Sequence, residues 1–131
     1  MKKVILLGAD GNVSIKSFES ILDVEDYVSP NYGITYEMCI GKIASGVLYL
    51  MVDDGLGAYE TDEEVFALRN EVASNLIGKD VYGNCAIIKM TAYDPNTYDT
   101  EAESTDPNAE WLGLEDEDIK INMSGVINYE I

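Results

Sequence analysis

The segment that most constrains this chain is YDPNTYDTEAESTDPNAEWLGLEDED, residues 93 to 118. It contains ten Asp and Glu residues and no Lys or Arg. Ten like charges in one segment repel each other, and no counter-charge within the segment relieves that repulsion. Strand-like sequence stands on both sides of it, which predicts an acidic excursion at 94–118 within a single domain of residues 1–131, and not a trailing tail.

The net charge of this chain is unusually large for a small domain with an ordinary hydrophobic content. The chain has 131 residues, a hydrophobic fraction of 47% and a formal net charge of −17. That hydrophobic fraction is typical of a globular domain, so the chain can bury a core. Small soluble domains usually carry a net charge of about 2 to 8. We therefore expect the charge to serve binding, with solubility, a high-salt habitat or drift as the alternatives.

Several short apolar runs predict strands. VILLGADGNVSIKSF reads as a hairpin around Asp10-Gly11, because glycine permits the positive φ of a tight turn. Further strands are predicted in ITYEMCI, GVLYLMVDD and CAIIKMTAY, and two short ones in IKINMSGVINYEI at the C-terminal end. Trp111, beside Leu112 and Leu114, is expected to attach the acidic segment to the body of the domain.

Two helices complete the predicted fold. Residues 18–28 favour a short helix, and 61–77 favour a well-defined one that Thr61 and Glu64 begin with a capping box and Gly78 ends. The predicted class is α+β: a mainly antiparallel sheet of about five to seven strands with both helices packed on it.

The residue types argue against an enzyme. The chain has no histidine, which excludes Ser-His-Asp and Cys-His nucleophile systems. Its single arginine, Arg69, is expected to pair with a nearby carboxylate such as Glu64 or Glu71, and no phosphate-binding loop is present. A calcium loop beginning at Asp94 fails at its fifth, sixth and twelfth positions. We expect no catalytic residue, no cofactor and no metal site.

The two cysteines and the charge indicate a compartment and a class of partner. Cys39 and Cys85 each lie in an apolar run, which favours buried free thiols. Asp10 ends the first apolar stretch before a signal-peptide core is complete, so we expect a cytoplasmic protein. Nucleic acid and anionic membranes repel an acidic surface, so the expected partner is a basic protein surface, with no direct nucleic acid and no membrane. A homodimer through a sheet edge is left open.

A second acidic run, residues 53–64, bears on the mode of binding. B-DNA carries one charge per ~107 Å² of its surface, and both runs together reach one per ~106 Å² if they share a quarter of the folded surface. DNA mimicry therefore requires both runs on one face. Tyrosines in the same loops are candidate anchors. The candidate partner-binding residues are Asp53, Asp54, Tyr59, Glu60, Asp62, Glu63, Glu64, Tyr93, Asp94, Tyr98, Asp99, Glu101, Glu103, Asp106, Glu110, Glu115, Asp116, Glu117 and Asp118.

The middle of the chain carries a resemblance. VLYLMVDDGLGAYETDEEVFALRNEVASNLIG, followed by CAIIK, resembles small uncharacterised domains of phages and mobile elements of Gram-positive bacteria in its order of strand, acidic turn, helix and returning strand. In composition the chain is similar to acidic phage inhibitors that imitate DNA. The resemblance implies a non-enzymatic inhibitor of a nucleic-acid-binding defence or regulatory protein. The alternatives are an accessory or structural domain whose acidity serves solubility, and a weak cation- or small-ligand-binding module.

Overall fold

The computed structural model describes residues 1–30, 33–43, 46–54, 68–91 and 110–119. Six strands and two helices of seven or more residues lie within these ranges, and residues 116–119 form one further helical turn. In chain order the elements are β1 (Lys2–Leu7), β2 (Val13–Phe18), α1 (Ile21–Val28), β3 (Thr35–Ile43), β4 (Gly46–Asp53), α2 (Glu71–Ile77), β5 (Cys85–Met90) and β6 (Trp111–Leu112).

The strands form one antiparallel sheet in the order β2-β1-β5-β4-β3. The short strand β6 pairs with the end of β5, where Trp111 lies opposite Met90. Beside it, the N–H of Leu114 donates to the carbonyl of Lys3, so this segment fills the space between the start of β1 and the end of β5. The predicted α+β class with a mainly antiparallel sheet is confirmed.

The first hairpin forms where it was predicted. Strands β1 and β2 pair from Lys2 opposite Phe18 to Leu7 opposite Val13. The N–H of Gly8 donates to the carbonyl of Asn12, and Gly11 has a φ of 90°, the conformation for which glycine is favoured. The strands predicted in ITYEMCI, GVLYLMVDD and CAIIKMTAY are also present, as β3, β4 and β5.

Hydrophobic cores lie on both faces of the sheet. On one face, which we call the α2 face, Leu50 and Ile87 pack with Ala73 of α2 and with Ile119. On the other, the α1 face, the side chains of β1, β4 and β5 pack with Val24 and Val28 of α1. Burial on both faces explains why these three strands read as continuous apolar runs instead of alternating ones.

The first helix agrees with the prediction. Ser20 is the N-cap of α1, and its hydroxyl oxygen accepts the N–H of Leu22. Val24 and Val28 are buried four residues apart on the face that contacts the sheet. The prediction of a short helix within 18–28 is confirmed.

The predicted helix over 61–77 is wrong as a continuous element. α2 begins only at Glu71: Asn70 is its N-cap, with extended backbone, and Arg69 forms an isolated β-bridge with Tyr82. The buried amide of Asn70 breaks the helix because it binds backbone groups of three different segments, as described below. Gly78 ends α2 in the left-handed conformation, as predicted. Thr61 and Glu64 lie outside the described residues.

The predictions for Trp111, for the two cysteines and for the C-terminal strands have different outcomes. Trp111 is half-buried against the core of the α1 face, which confirms that it attaches the acidic segment to the sheet. Cys85 is buried as expected, but the prediction is wrong for Cys39, which is exposed because β3 is the outermost of the described strands and not a central one. The C-terminal strands predicted beyond residue 119 lie outside the described residues.

Candidate functional site

A groove opens at the end of the sheet where β3 begins and β4 ends. Tyr36 and Met38 of β3 form one wall, and residues 79–82, which follow α2, form the other. Its volume is about 300 Å³. A second depression of about 240 Å³ shares Tyr36, Met38 and Lys79 with it and extends to Cys39, so the two form one groove along β3. We call this the β3 groove.

The wall after α2 is held by hydrogen bonds to the helix. The N–H of Val81 donates to the hydroxyl of Ser74 at 2.9 Å, and the N–H of Asn70 donates to the carbonyl of Val81 at 2.8 Å. The bridge between Arg69 and Tyr82 adds a further backbone link. Tyr82 therefore lines the groove from a segment that hydrogen bonds hold against α2 and the residues before it.

The charges around the β3 groove are mixed. Asp54 is exposed, and its N–H donates to the carbonyl of Ile34. Asp80 accepts a hydrogen bond of 3.0 Å from Nε of Arg69, which confirms a carboxylate partner for that arginine. The same guanidinium lies 3.7 Å from Glu71, one of the two partners predicted. Lys79 is exposed and supplies a positive charge to this wall.

The α1 face beside β3 is acidic. Helix α1 carries Asp23, Glu25 and Asp26 and no basic residue. Next to it, burial raises the pKa of Glu37 on β3 above its usual value, and repulsion from the Glu25 carboxylate raises it further. A hydrogen bond that the backbone N–H of Glu37 donates to its own carboxylate opposes both effects on the pKa. The two sides of β3 thus differ: on the groove side, aromatic and apolar groups stand among charges of both signs, whereas the charged groups of α1 on the other side are all carboxylates.

The described candidate residues fall into two groups. Asp54, Glu110, Glu115, Asp116 and Glu117 are exposed. Asp53 and Asp118 are buried, so neither presents its charge on the surface. Outside the described residues lie Tyr59, Glu60, Asp62, Glu63, Glu64, Tyr93, Asp94, Tyr98, Asp99, Glu101, Glu103 and Asp106.

Asp118 belongs to the interior of the fold. Its Oδ2 lies 2.7 Å from Nζ of Lys89 in a buried ion pair. The same oxygen accepts the N–H of Glu115 at 2.8 Å, which caps the helical turn of residues 116–119. The last carboxylate of the acidic segment thus holds that segment on the sheet.

The described parts of the two acidic runs lie at opposite ends of the sheet. Trp111 lies opposite Met90, and Met90 lies opposite Val47. Asp53 follows Val47 by six residues along β4, a distance of about 20 Å. Lysines also stand beside the 94–118 segment: Lys3 pairs with Asp116 at 3.1 Å, and Nζ of Lys2 lies 5.0 Å from the Trp111 ring centroid.

Several residues around the groove were not among the candidates. The alternation in TYEMC, residues 35–39, was a usable signal, because Tyr36 and Met38 must face one side of a strand and Glu37 the other. Tyr82 and Lys79 had no local signal, since a loop after α2 brings them to β3. The groove combines charges of both signs with the aromatic surface of Tyr36 and Tyr82, and a run of acidic residues does not indicate that combination.

Further observations complete the description of the site. Within the described ranges, no group of three or more Cys, Asp or Glu side chains is arranged to hold a metal ion. No helix in the same ranges is long and apolar enough to cross a bilayer. No protein-family model, curated protein or solved structure matches this chain.

Proposed function

We propose that this chain is a non-enzymatic acidic binding protein whose partner is a basic surface of another protein. The observation that carries the proposal is the β3 groove, where Tyr36 and Tyr82 stand beside exposed Asp54. The chain that follows Asp54 adds Glu60, Asp62, Glu63 and Glu64 within ten residues, with no basic residue among them.

Two kinds of contact favour a basic partner at this end of the sheet. Tyrosine rings supply rigid contact area and attract cationic side chains, and they are enriched among the residues that dominate binding energy. Carboxylates around them raise the rate of encounter with a positive surface and make binding sensitive to salt. A net charge of −17 extends that attraction over the whole molecule.

In the narrower form of the proposal, the chain imitates DNA and inhibits a nucleic-acid-binding defence or regulatory protein. This form needs both acidic runs on one face, and their described parts are about 20 Å apart along β4. DNA mimicry therefore depends on the nine carboxylates of residues 60–64 and 94–106, which lie outside the described residues. The resemblance to phage and mobile-element domains is the reason to seek such a partner among defence proteins.

The exposed thiol of Cys39 bears on the cellular compartment in which the protein works. An exposed free thiol at Cys39 suits a reducing environment, where thiols stay unpaired. We therefore propose that the protein works in the cytoplasm, without a cofactor.

A matched pair of variants tests the binding proposal. A fluorescent oligo-lysine peptide is titrated with the wild type, Asp54→Asn and Glu110→Gln, each at low and high salt. Both variants remove one exposed carboxylate, from opposite ends of the sheet. We expect Asp54→Asn to weaken binding about fivefold, Glu110→Gln by less than about twofold, and high salt to weaken all three. Equal losses in the two variants would argue against the groove end as the binding surface.

A further inference from the structure

The outer edge of β3 is a second notable surface beside the groove. Within the described residues, β3 is the last strand of the sheet and pairs only with β4. An edge strand presents N–H and C=O groups to which an extended segment can add as a further strand. A register shift between Cys39 and Gly41 interrupts the regular pairing of β3, so the regular part of this edge is Thr35–Cys39.

The two sides of this edge select different side chains. Tyr36, Met38 and Lys79 line the part of the β3 groove that extends to Cys39, and there Lys79 disfavours a second positive charge. The carboxylates Asp53, Asp54 and Asp80 line the other part of the groove. Glu37 faces the α1 side, where Glu25 is close enough to interact with it electrostatically. Because alternate residues of an added strand point to opposite sides, its apolar residues would meet the groove and its cationic residues would meet Glu37.

We propose that the basic partner docks an extended segment, with apolar residues alternating with Lys or Arg, along Thr35–Cys39 of β3. This inference rests on the proposed function and specifies the partner's chemistry. Backbone hydrogen bonds to β3 supply affinity, and the two sides of the strand supply specificity. A cation beside Glu37 also offsets the repulsion between that carboxylate and Glu25.

The chain contains its own reporter for this docking. Its two cysteines are Cys39 and Cys85. Cys39 is exposed on the proposed edge, whereas Cys85 is buried, and burial with the nearby charge of Asp53 raises the pKa of its thiol to about 12. Because only the thiolate reacts, an alkylating reagent modifies Cys39 first. A segment lying along Thr35–Cys39 should slow that reaction.

The experiment compares three peptides on the full chain. The first alternates Lys and Val as KVKVKVK, the second has the same composition as KKVVVKK, and the third is KVKVKVK with alternate backbone nitrogens methylated. For each, peptide affinity and the rate of Cys39 alkylation are measured. We expect KVKVKVK to bind about fivefold more tightly than either control and to slow alkylation about threefold or more. Glu37→Gln should weaken KVKVKVK binding, whereas Glu110→Gln at the far end of the sheet should not.

The outcomes separate this inference from the proposed function. If the three peptides bind equally and Cys39 is alkylated at its free rate, edge docking is overturned while binding to a basic partner stands. If no peptide binds even at low salt, the proposed function falls and this inference falls with it. If Cys39 is already protected without peptide and sedimentation shows a dimer, the occupant of the edge is a second copy of the chain, and the partner-segment inference is overturned.

Discussion

Individual carboxylates in this protein have different roles despite their similar sequence context. Asp116 and Asp118 are two residues apart in one acidic run. Asp116 is exposed and pairs with Lys3 at the surface, whereas Asp118 is buried against Lys89. An exposed pair contributes little to stability, but loss of one partner from a buried pair leaves a charge without its counter-ion. The two aspartates should therefore respond very differently to the same substitution.

The Lys89–Asp118 pair gives the first prediction. Asp118→Asn should lower the free energy of unfolding by about 3 to 5 kcal/mol, because Lys89 loses its buried counter-charge. Asp116→Asn should cost less than about 1 kcal/mol and serves as the control. Urea denaturation measures both. The double variant Lys89→Met/Asp118→Leu should regain most of the loss, since apolar replacement of a buried pair is often nearly neutral. Similar costs for the two single variants would disprove the structural role.

Glu37 gives a prediction with a defined pH dependence. Its folded-state pKa lies above the usual 4.5, through burial and the charge of Glu25. The folded state therefore binds this proton more readily than the unfolded state, and the stabilising contribution is lost as the pH rises through the folded pKa. Glu37→Gln should melt at a higher temperature than the wild type at about pH 7 and at nearly the same temperature at about pH 3.5. A gain of equal size at both pH values would contradict this origin. Thermal melts followed by circular dichroism test it.

At the scale of elements, one buried amide decides where α2 begins. Asn70 is fully buried, and its side-chain nitrogen donates to the carbonyls of Leu7 and Gly83, each at 2.9 Å. Its side-chain oxygen accepts the N–H of Ala73 at 3.0 Å, as an N-cap does. Asn70 thus joins the start of α2 to the end of β1 and to the turn before β5. The same junction positions residues 79–82, which form one wall of the β3 groove.

The junction predicts an order of stability among variants of Asn70. Asn70→Ala should cost about 2 to 4 kcal/mol, from the lost cap and from two buried carbonyls left without their donor. Asn70→Asp retains an oxygen that can accept from Ala73 but loses both donors and adds a buried negative charge. It should be at least as destabilising as Asn70→Ala at about pH 7. Denaturant unfolding ranks the variants, with Asn75→Ala at an exposed position of α2 as the control. A mild effect of Asn70→Asp would show that the cap alone matters.

At the scale of the whole molecule, self-repulsion opposes folding. A net charge of −17 on 131 residues is well beyond the range of ordinary small domains. The described parts of the two acidic runs lie at opposite ends of the sheet, and Lys3 pairs with Asp116 of the 94–118 segment. Among the described residues, this separation of the two runs lowers the local charge density.

Screening of this repulsion gives the last prediction. Raising NaCl from about 20 mM to about 500 mM should raise the melting temperature, because the Debye length falls and the like charges repel less strongly. The Lys89–Asp118 pair should be little affected, since buried pairs are weakly screened. Sucrose at matched osmolarity provides a control for general exclusion effects. A melting temperature that falls with salt would show that attractive surface pairs outweigh the repulsion.

Much of the element order was predictable from local pattern. The hairpin around Asp10-Gly11, helix α1, strands β3 to β5 and the end of α2 at Gly78 follow from periodicity and turn residues, which act over a few positions. The start of α2 was not predictable. Helical spacing continues through Arg69 and Asn70 in the sequence, but partners from β1 and the turn before β5 hold Asn70 in extended backbone. Those partners are 63 and 13 residues away.

The amino-acid sequence by itself determined the α+β class, the antiparallel strands and the excess of negative charge, because these depend on residue type and short-range spacing. Only the tertiary structure decided that Asp118 is buried while Asp116 is exposed, that Cys39 is exposed on the last described strand of the sheet, and that Tyr36 and Tyr82 line one groove. Those outcomes depend on which distant segments meet. Long-range contacts of this kind have no periodic signature along the chain.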